Sequence, residues 1–411
     1  MKSCFQSTQI LLPRHDIAME NWSVVACDQF TSEEEYWKEV ENQVQDQPSA
    51  LHLIFPEVYL GKDPERISRI NQTMADYLQN HILEKRIDNG FVLVERTVND
   101  QIRLGFVGVI DLEAYDFTPG SSSLIRATEG TIQSRIPPRL KIRENALLEC
   151  PHVMVLIDDP KMQLIEPLYN NKDHFECLYD FELMQNGGHL RGYAITGQFA
   201  DAVNAKLALM ESESNGFFLA VGDGNHSLAT AKAYWENIKK TLNENQMADH
   251  PARYAMVELV NLHSPALVFE PIHRLLFNVD MNDLLVRFKE YVHELNIQLD
   301  HGEDLIFIND SQKISFQLLN THDRLAVDIL QTFLDEYLNQ HSQTQIDYIH
   351  GLDTIQKLSQ HPNSCGIILP AIDKKTLFPA IAAGGVLPRK TFSMGEANEK
   401  RYYVECRRIT Q

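Results

Sequence analysis

The stretch Gly216-Phe217-Phe218-Leu219-Ala220-Val221-Gly222-Asp223-Gly224-Asn225-His226-Ser227 changes character twice. Gly216–Val221 is dominated by apolar residues and reads as a buried strand. Gly222–Asn225 is built from Gly, Asp and Asn, the residues that tight turns need. From His226 onward Leu228, Ala231, Trp235, Ile238 and Leu242 recur at spacings of three and four, so a helix opens there. Strand, glycine-rich turn and helix N-terminus in succession make a βα unit. The loop then lies where helix N–H groups without intrahelical partners gather.

The flanking sequence carries further elements. Upstream, Leu178–Met184 and Leu190–Ile195 flank Asn186-Gly187-Gly188, a hairpin signal. Val153–Ile157 is an apolar run ending in Asp158-Asp159, which predicts a buried strand. Phe91–Val98 and Ile102–Ile110 predict a second hairpin turning at Asn99-Asp100. Helices are predicted from Thr31, where Thr31-x-x-Glu34 and Ser32-x-x-Glu35 read as capping boxes, and from Pro64. Downstream, Tyr254–Leu262 and Leu267–Phe269 read as strands, followed by helices and hairpins up to the loop Gly384–Lys390. Antiparallel hairpins mixed with βα units predict an α+β or mixed α/β fold with mixed sheets. Three domains are expected, at residues 1–118, 119–250 and 251–411. Residues 119–145 hold few aliphatic side chains, and Pro137-Pro138 argues against regular structure there. An ordered, irregular, functional segment is expected.

Composition narrows the function classes. The 411 residues carry 37 Lys+Arg against 57 Asp+Glu, a formal net charge of −20. An acidic surface repels phosphate backbones and anionic membranes, so neither nucleic acid nor a membrane is expected as a partner. A small anionic or phosphorylated ligand in a locally basic pocket remains compatible. The 6 cysteines include no Cys-x-x-Cys pair, which points to reduced thiols. A basic, then apolar N-terminal leader is missing, as is any apolar run of about 18 residues. A cytoplasmic protein is therefore expected, with a homodimer as the commonest oligomeric state.

The candidate chemistry centres on the loop. Gly222 and Gly224 on either side of Asp223 let the backbone approach a ligand closely. Asp223 offers a hard oxygen for Mg²⁺ or a general base. His226, in the first helical turn, could donate a proton or a hydrogen bond to an anion. With Asn225 and Ser227 these residues form a candidate phosphate site, although the same set suits a plain β-to-α turn capped by Asn225. A second candidate is the segment containing Arg126, Glu129, Arg135 and Arg139, because guanidinium forks bind phosphate and carboxylate. His273-Arg274 follows Pro271, and Arg389-Lys390 follows Gly384-Gly385 as a possible lid. There is no Walker A loop, no Gly-x-Gly-x-x-Gly, no Gly-x-Ser-x-Gly elbow and no His-Glu-x-x-His.

Several stretches, taken in order, resemble one bacterial family. They are Trp22–Phe30, Ile125–Thr131, Arg135-Ile136-Pro137-Pro138-Arg139, Asp223-Gly224-Asn225-His226, Pro271-Ile272-His273-Arg274 and Leu387–Thr391. The family is the domain of unknown function numbered ten-fifteen, and the resemblance spans essentially the whole chain. That family usually carries Asp-Gly-His-His-Arg at the central loop. This box is similar to one shared by ParB-like proteins, sulfiredoxins and an archaeal free-serine kinase, where the loop and following helix hold nucleotide phosphates. The resemblance carries Asp223, Gly224 and His226 over to this role. Asn225 stands where the first His is usual and Ser227 where the Arg is usual, which removes one phosphate fork. No Cys precedes the His, so sulfiredoxin chemistry is not implied.

Residues and resemblance together lead to an expected kinase-like activity. This is a Mg²⁺-assisted phosphotransferase acting on a free amino acid or similar metabolite, with nucleotide as cofactor. Asp223 would hold metal or act as base, His226 and the loop N–H groups would hold phosphate, and Arg126, Arg139 and Arg274 would neutralise charge. Two alternatives stand beside it: a nucleotide- or metabolite-binding regulator without turnover, and a degenerate structural member.

Overall fold

A computed structural model describes residues 2–98, 100–322, 324–388 and 390–410. Arg389, named above, lies outside the described residues. The chain divides into two compact units, Met1–Leu267 with Glu396–Gln411, and Val268–Gly395.

The first unit is built on an 11-stranded mixed sheet among the described residues. The strands in chain order are β1 (Phe5–Gln6), β2 (Thr8–Pro13), β3 (Leu83–Val98), β4 (Gln101–Asp111), β5 (Tyr115–Asp116) and β6 (Ile125–Ala127). After β7 (Leu148–Glu149), which lies outside this sheet, come β8 (Met154–Ile157), β9 (Glu176–Leu183), β10 (Gly188–Thr196), β11 (Leu219–Asp223) and β12 (Tyr254–Asn261). The order across the sheet is β5-β6-β11-β8-β12-β4-β3-β10-β9, with β1 on β4 and β2 on β3. The helices of this unit are α1 (Met19–Trp22), α2 (Glu34–Val44), α3 (Arg66–Gln79), α4 (Ile136–Arg143), α5 (Glu166–Tyr169), α6 (Gly197–Glu213), α7 (Asn225–Ile238) and α8 (Glu244–Asp249). β8 is buried along its full length, as a continuous apolar run requires when a sheet is covered on both faces. α7 buries Leu228, Ala231 and Trp235, the predicted face.

The second unit has a 6-stranded sheet among the described residues. Its strands are β13 (Phe269–Phe277), β14 (Gln298–Ile308), β15 (Lys313–Leu319), β16 (Gln345–His350), β17 (Ser364–Ile368) and β18 (Phe392–Met394). Its helices are α9 (Met281–Glu294), α10 (Ala326–Gln340), α11 (Leu352–Leu358) and α12 (Lys374–Gly384). Phe288 of α9 packs against Phe307, Phe316 and Phe333 to fill the core. The fold is thus mixed α+β, as the pattern predicts.

Four local expectations are corrected. A boundary near residue 118 or 250 would cut the first sheet, because β12 pairs with β4 from Tyr254↔Asp111 to Val260↔Gly105. Residues 119–145 are not irregular throughout: Pro137-Pro138 sit in the first turn of α4, where helix N–H groups have no intrahelical partner to lose. The α2 cap is Glu33 and makes no side-chain cap bond, so neither predicted capping box forms. The strand expected at Leu267–Phe269 is β13 and runs on to Phe277, so His273 and Arg274 lie in its middle, both buried.

After the second unit the chain returns to the first. β19 (Arg407–Arg408) pairs with β7, and Leu11↔Cys406 and Val25↔Tyr402 form isolated bridges. The Ala26 N–H donates to the Arg401 carbonyl and the Tyr403 N–H to that of Val24. This return buries Arg401 between two carboxylates: it pairs with Glu258, and its Nη2 lies 2.5 Å from Glu405 Oε2. Tyr179 also donates to Glu405, at 2.5 Å.

Candidate functional site

β6 and β11 run parallel, with Ala127 opposite Val221, so the loops that follow them leave from the same edge of the sheet. β11 runs antiparallel to β8, and its end at Asp223 faces Met154, the start of β8. The register shifts between Val221 and Asp223, leaving Gly222 as an extra residue in the strand. The return segment then adds Lys400 and Tyr403 to the same end.

Gly224 is the N-cap of α7 and is left-handed, at φ 78 and ψ 27. An added Cβ would meet Val153 Cγ2 at 3.0 Å and its Cα at 3.1 Å, so both conformation and space favour glycine. Gly224→Ala is expected to cost about 1–2 kcal/mol for the left-handed backbone alone. Urea unfolding of the variant beside wild type measures this.

The two sequence motifs meet here through side chain–backbone hydrogen bonds. Thr128 Oγ1 donates to the Val221 carbonyl at 2.6 Å, and the Ile132 N–H donates to His226 Nε2 at 3.2 Å. Residues 128–132, Glu129 among them, therefore run alongside the start of α7. His226 accepts this bond through Nε2. Asn225 Nδ2 reaches Thr128 Oγ1 at 3.5 Å, while Asn225 Oδ1 and Thr131 Oγ1 are buried without a hydrogen-bond partner. Orphaned polar atoms are costly and are normally satisfied by something.

Asp223 sits at the rim. Its Oδ1 accepts from the Gly224 N–H at 3.0 Å and its Oδ2 lies 3.3 Å from Lys400 Nζ. Asp28 is close to the same lysine. Burial alone would raise its carboxyl, but His152, the Gln29 amide and Lys400 together hold it below its ordinary value. No three His, Cys, Asp or Glu side chains gather as a metal set among the described residues. Asp223 brings one carboxylate, beside Lys400 Nζ, so a Mg²⁺ held here would draw its other ligands from substrate phosphates and water.

Ser227 Oγ lies 2.8 Å from His152 Nε2, and His152 Nδ1 lies 2.9 Å from the Tyr403 hydroxyl. That hydroxyl accepts from the Cys27 N–H at 3.1 Å. Burial, with Cys27 and Asp28 nearby, pushes the Tyr403 phenol well above its ordinary value, so it stays protonated. Asp28, His152, Lys400 and Tyr403 were given no role in the sequence reading. The first lies inside a family-like stretch and had a signal; the others are brought in by non-local pairing.

The predicted arginines do not converge on the loop. Arg126 points to the opposite end of its strand, donating to Ser123 and Gly216 carbonyls and lying 4.4 Å over the Phe217 ring. Arg135 is exposed, and Arg139 pairs with Glu57. Arg126→Ala is accordingly expected to leave the affinity for a phosphate ligand within about twofold of wild type, read by isothermal titration. In the second unit, His273 Nδ1 accepts from the Leu369 N–H at 3.2 Å. Burial and the neighbouring Arg274 keep this imidazole below its ordinary value. Arg274 donates to Gln331 at 2.8 Å and to the Ile272 and Lys390 carbonyls at 2.6 and 3.0 Å. Lys390 is exposed. These are roles internal to that unit: Arg274 braces strand and loop, which explains its burial without a ligand.

No helix among the described residues is long and apolar enough to cross a membrane. Among solved structures, the chain is similar to free serine kinase in complex with AMP, at 10% identity and a TM-score of 0.36, covering 74% of this chain and 90% of that one. It is also similar to SbnI with C-terminal truncation from Staphylococcus aureus, at 8% identity and a TM-score of 0.36, covering 72% and 82%. A conserved hypothetical protein from Pyrococcus furiosus matches at 11% identity and a TM-score of 0.34, covering 74% and 94%. No curated protein matches the sequence. The family model described as protein of unknown function, DUF1015, matches residues 10–355, and the chain belongs to that family.

Proposed function

We propose that the first unit is a nucleotide-dependent phosphotransferase that moves a phosphoryl group onto a small metabolite. The observation that carries this reading is the meeting of loops 128–132 and 222–226 at the start of α7, with Asp223 and Lys400 side by side at its rim. First-turn N–H groups and the positive end of the helix suit phosphate oxygens. The buried Asn225 Oδ1 and Thr131 Oγ1 supply an acceptor and a hydroxyl on either wall. Lys400 replaces the charge that a fork-forming arginine at position 227 would bring. It neutralises the transferring group, since phosphoryl transfer is mostly positioning and electrostatics. The acceptor oxygen forms the new bond to phosphorus. The bond to the nucleotide's leaving phosphate breaks with its electron pair, and the acceptor proton passes to the Asp223 carboxylate. His226 is a positioning residue that keeps loop 128–132 against α7. No step in this reading passes through a metal held by the protein.

A thermal-unfolding titration with ADP, followed by ³¹P NMR of the protein with ATP and a pool of small metabolites, tests the reading. ADP at 100 times its Kd should stabilise the fold by about 2.7 kcal/mol. ATP should give ADP and a phosphorylated metabolite in equal amounts. Absence of stabilisation by ATP, ADP and phosphate would overturn it. Binding with no phosphorylated product would leave a nucleotide-binding regulator.

A further inference from the structure

A cavity of about 160 Å³ opens beside the same helix, walled by α4, the first two turns of α7 and residues 53–60. Its body is apolar, with Phe55, Met74, Ile142, Leu228, Ala231 and Met256 in the wall. Ser227, His152 and Tyr403 supply a polar end to the lining, because hydrogen bonds hold Ser227 Oγ, the His152 ring and the Tyr403 hydroxyl together. Ser227 Oγ spends one hydrogen bond on His152 and keeps capacity for two more. The two carboxylates in the wall are committed to arginines: Glu57 pairs with Arg139, and Glu149 lies 2.5 Å from Arg143 Nη2 and 2.6 Å from Arg407 Nη2, while Arg143 Nε is buried without a hydrogen-bond partner.

We propose that this cavity binds a neutral alcohol with a compact apolar body of about six carbons. Its hydroxyl would sit on Ser227 and, on the phosphotransferase reading above, serve as the phosphoryl acceptor. Size sets the body, because an apolar cavity of about 150 Å³ accommodates benzene. The polar end sets the head group: a hydroxyl both donates and accepts, as Ser227 Oγ does. The committed wall carboxylates exclude an ammonium group. A zwitterionic amino acid would need an anion partner for its ammonium, and both glutamates are already paired with arginines. Position links the cavity to the chemistry, since Ser227 is in the first turn of α7, within one helical pitch of about 5 Å from the anion-binding loop. In the transfer the alcohol oxygen bonds to phosphorus, the nucleotide's terminal P–O bond breaks with its electrons, and the hydroxyl proton passes to Asp223.

Saturation-transfer NMR and titration of the full chain with cyclohexanol test this. Cyclohexanol should bind, and the cyclohexylammonium ion and free leucine at least tenfold more weakly. Ser227→Ala should weaken cyclohexanol about tenfold while leaving methylcyclohexane unchanged. Ala231→Leu, which fills the body, should abolish binding of both without altering ADP affinity. The ligand series on wild type needs no folded variant. Cyclohexanol failing to bind, or leucine binding as well as cyclohexanol, overturns the proposal even where ADP binds. Cyclohexanol binding without any nucleotide binding upholds the cavity and removes the phosphotransferase reading.

Discussion

Arg401→Met is expected to destabilise the protein by about 3–5 kcal/mol, the cost of leaving buried carboxylates without their partner. Arg401 is 4% exposed, Glu258 1% and Glu405 0%, so water does not replace the lost cation. The sign of the pH dependence follows from Glu258. Burial pushes its carboxyl up, but Arg401 first, then Arg103, hold it below its ordinary value in the folded protein. A depressed folded value gives wild type a contribution that is present above the unfolded value of about 4.3 and lost as pH falls through the folded value. In the variant the Glu258 carboxyl rises instead, and protonating it relieves the penalty. The gap between the two proteins should therefore be widest near neutrality and narrow as pH falls below about 5. Urea melts at stepped pH measure this, and a neutral-pH difference under about 1 kcal/mol would contradict it. The effect reaches the site because Arg401 adjoins Lys400 and its Nε donates to the Pro151 carbonyl at 3.0 Å, one residue before His152.

Asp223→Asn is expected to lower phosphoryl transfer by about 10²–10⁴-fold, the range for loss of a general base. ADP affinity should change by less than about threefold. The amide keeps an oxygen for the Gly224 N–H, so the turn and α7 persist and the thermal midpoint should stay close to wild type. A loss of transfer that tracks a loss of ADP binding would instead place Asp223 in binding alone. Transfer unchanged in the variant would remove it from the chemistry.

The division between what the sequence reveals and what it hides follows the range of the interactions. Asn186-Gly187-Gly188 sets a hairpin because positive-φ residues act locally: Asn186 is at φ 57 and Gly188 at φ 85, and β9 and β10 pair around them. The β11–α7 turn is legible for the same reason, since a left-handed Gly224 before an amphipathic helix needs no distant partner. Pro137-Pro138 misleads because proline breaks a helix interior but suits its first turn, and the sequence does not say where α4 begins. The arginines mislead because residue type gives no direction. Arg126 shares a strand with the loop region yet its guanidinium folds back over Phe217. Lys400 and Tyr403 enter only when the chain end returns to pair with residues 24–26, a contact with no local signature.

On the proposed function, phosphate oxygens sit on the first turn of α7 between loops 128–132 and 222–226. Amide-resolved NMR of the full chain during ADP titration tests it most directly. The largest shift changes are predicted at Asn225, His226, Ser227 and residues 128–132, saturating together, with Arg126 little affected. Saturable shifts confined to other parts of the chain, with the α7 amides unmoved, would contradict it.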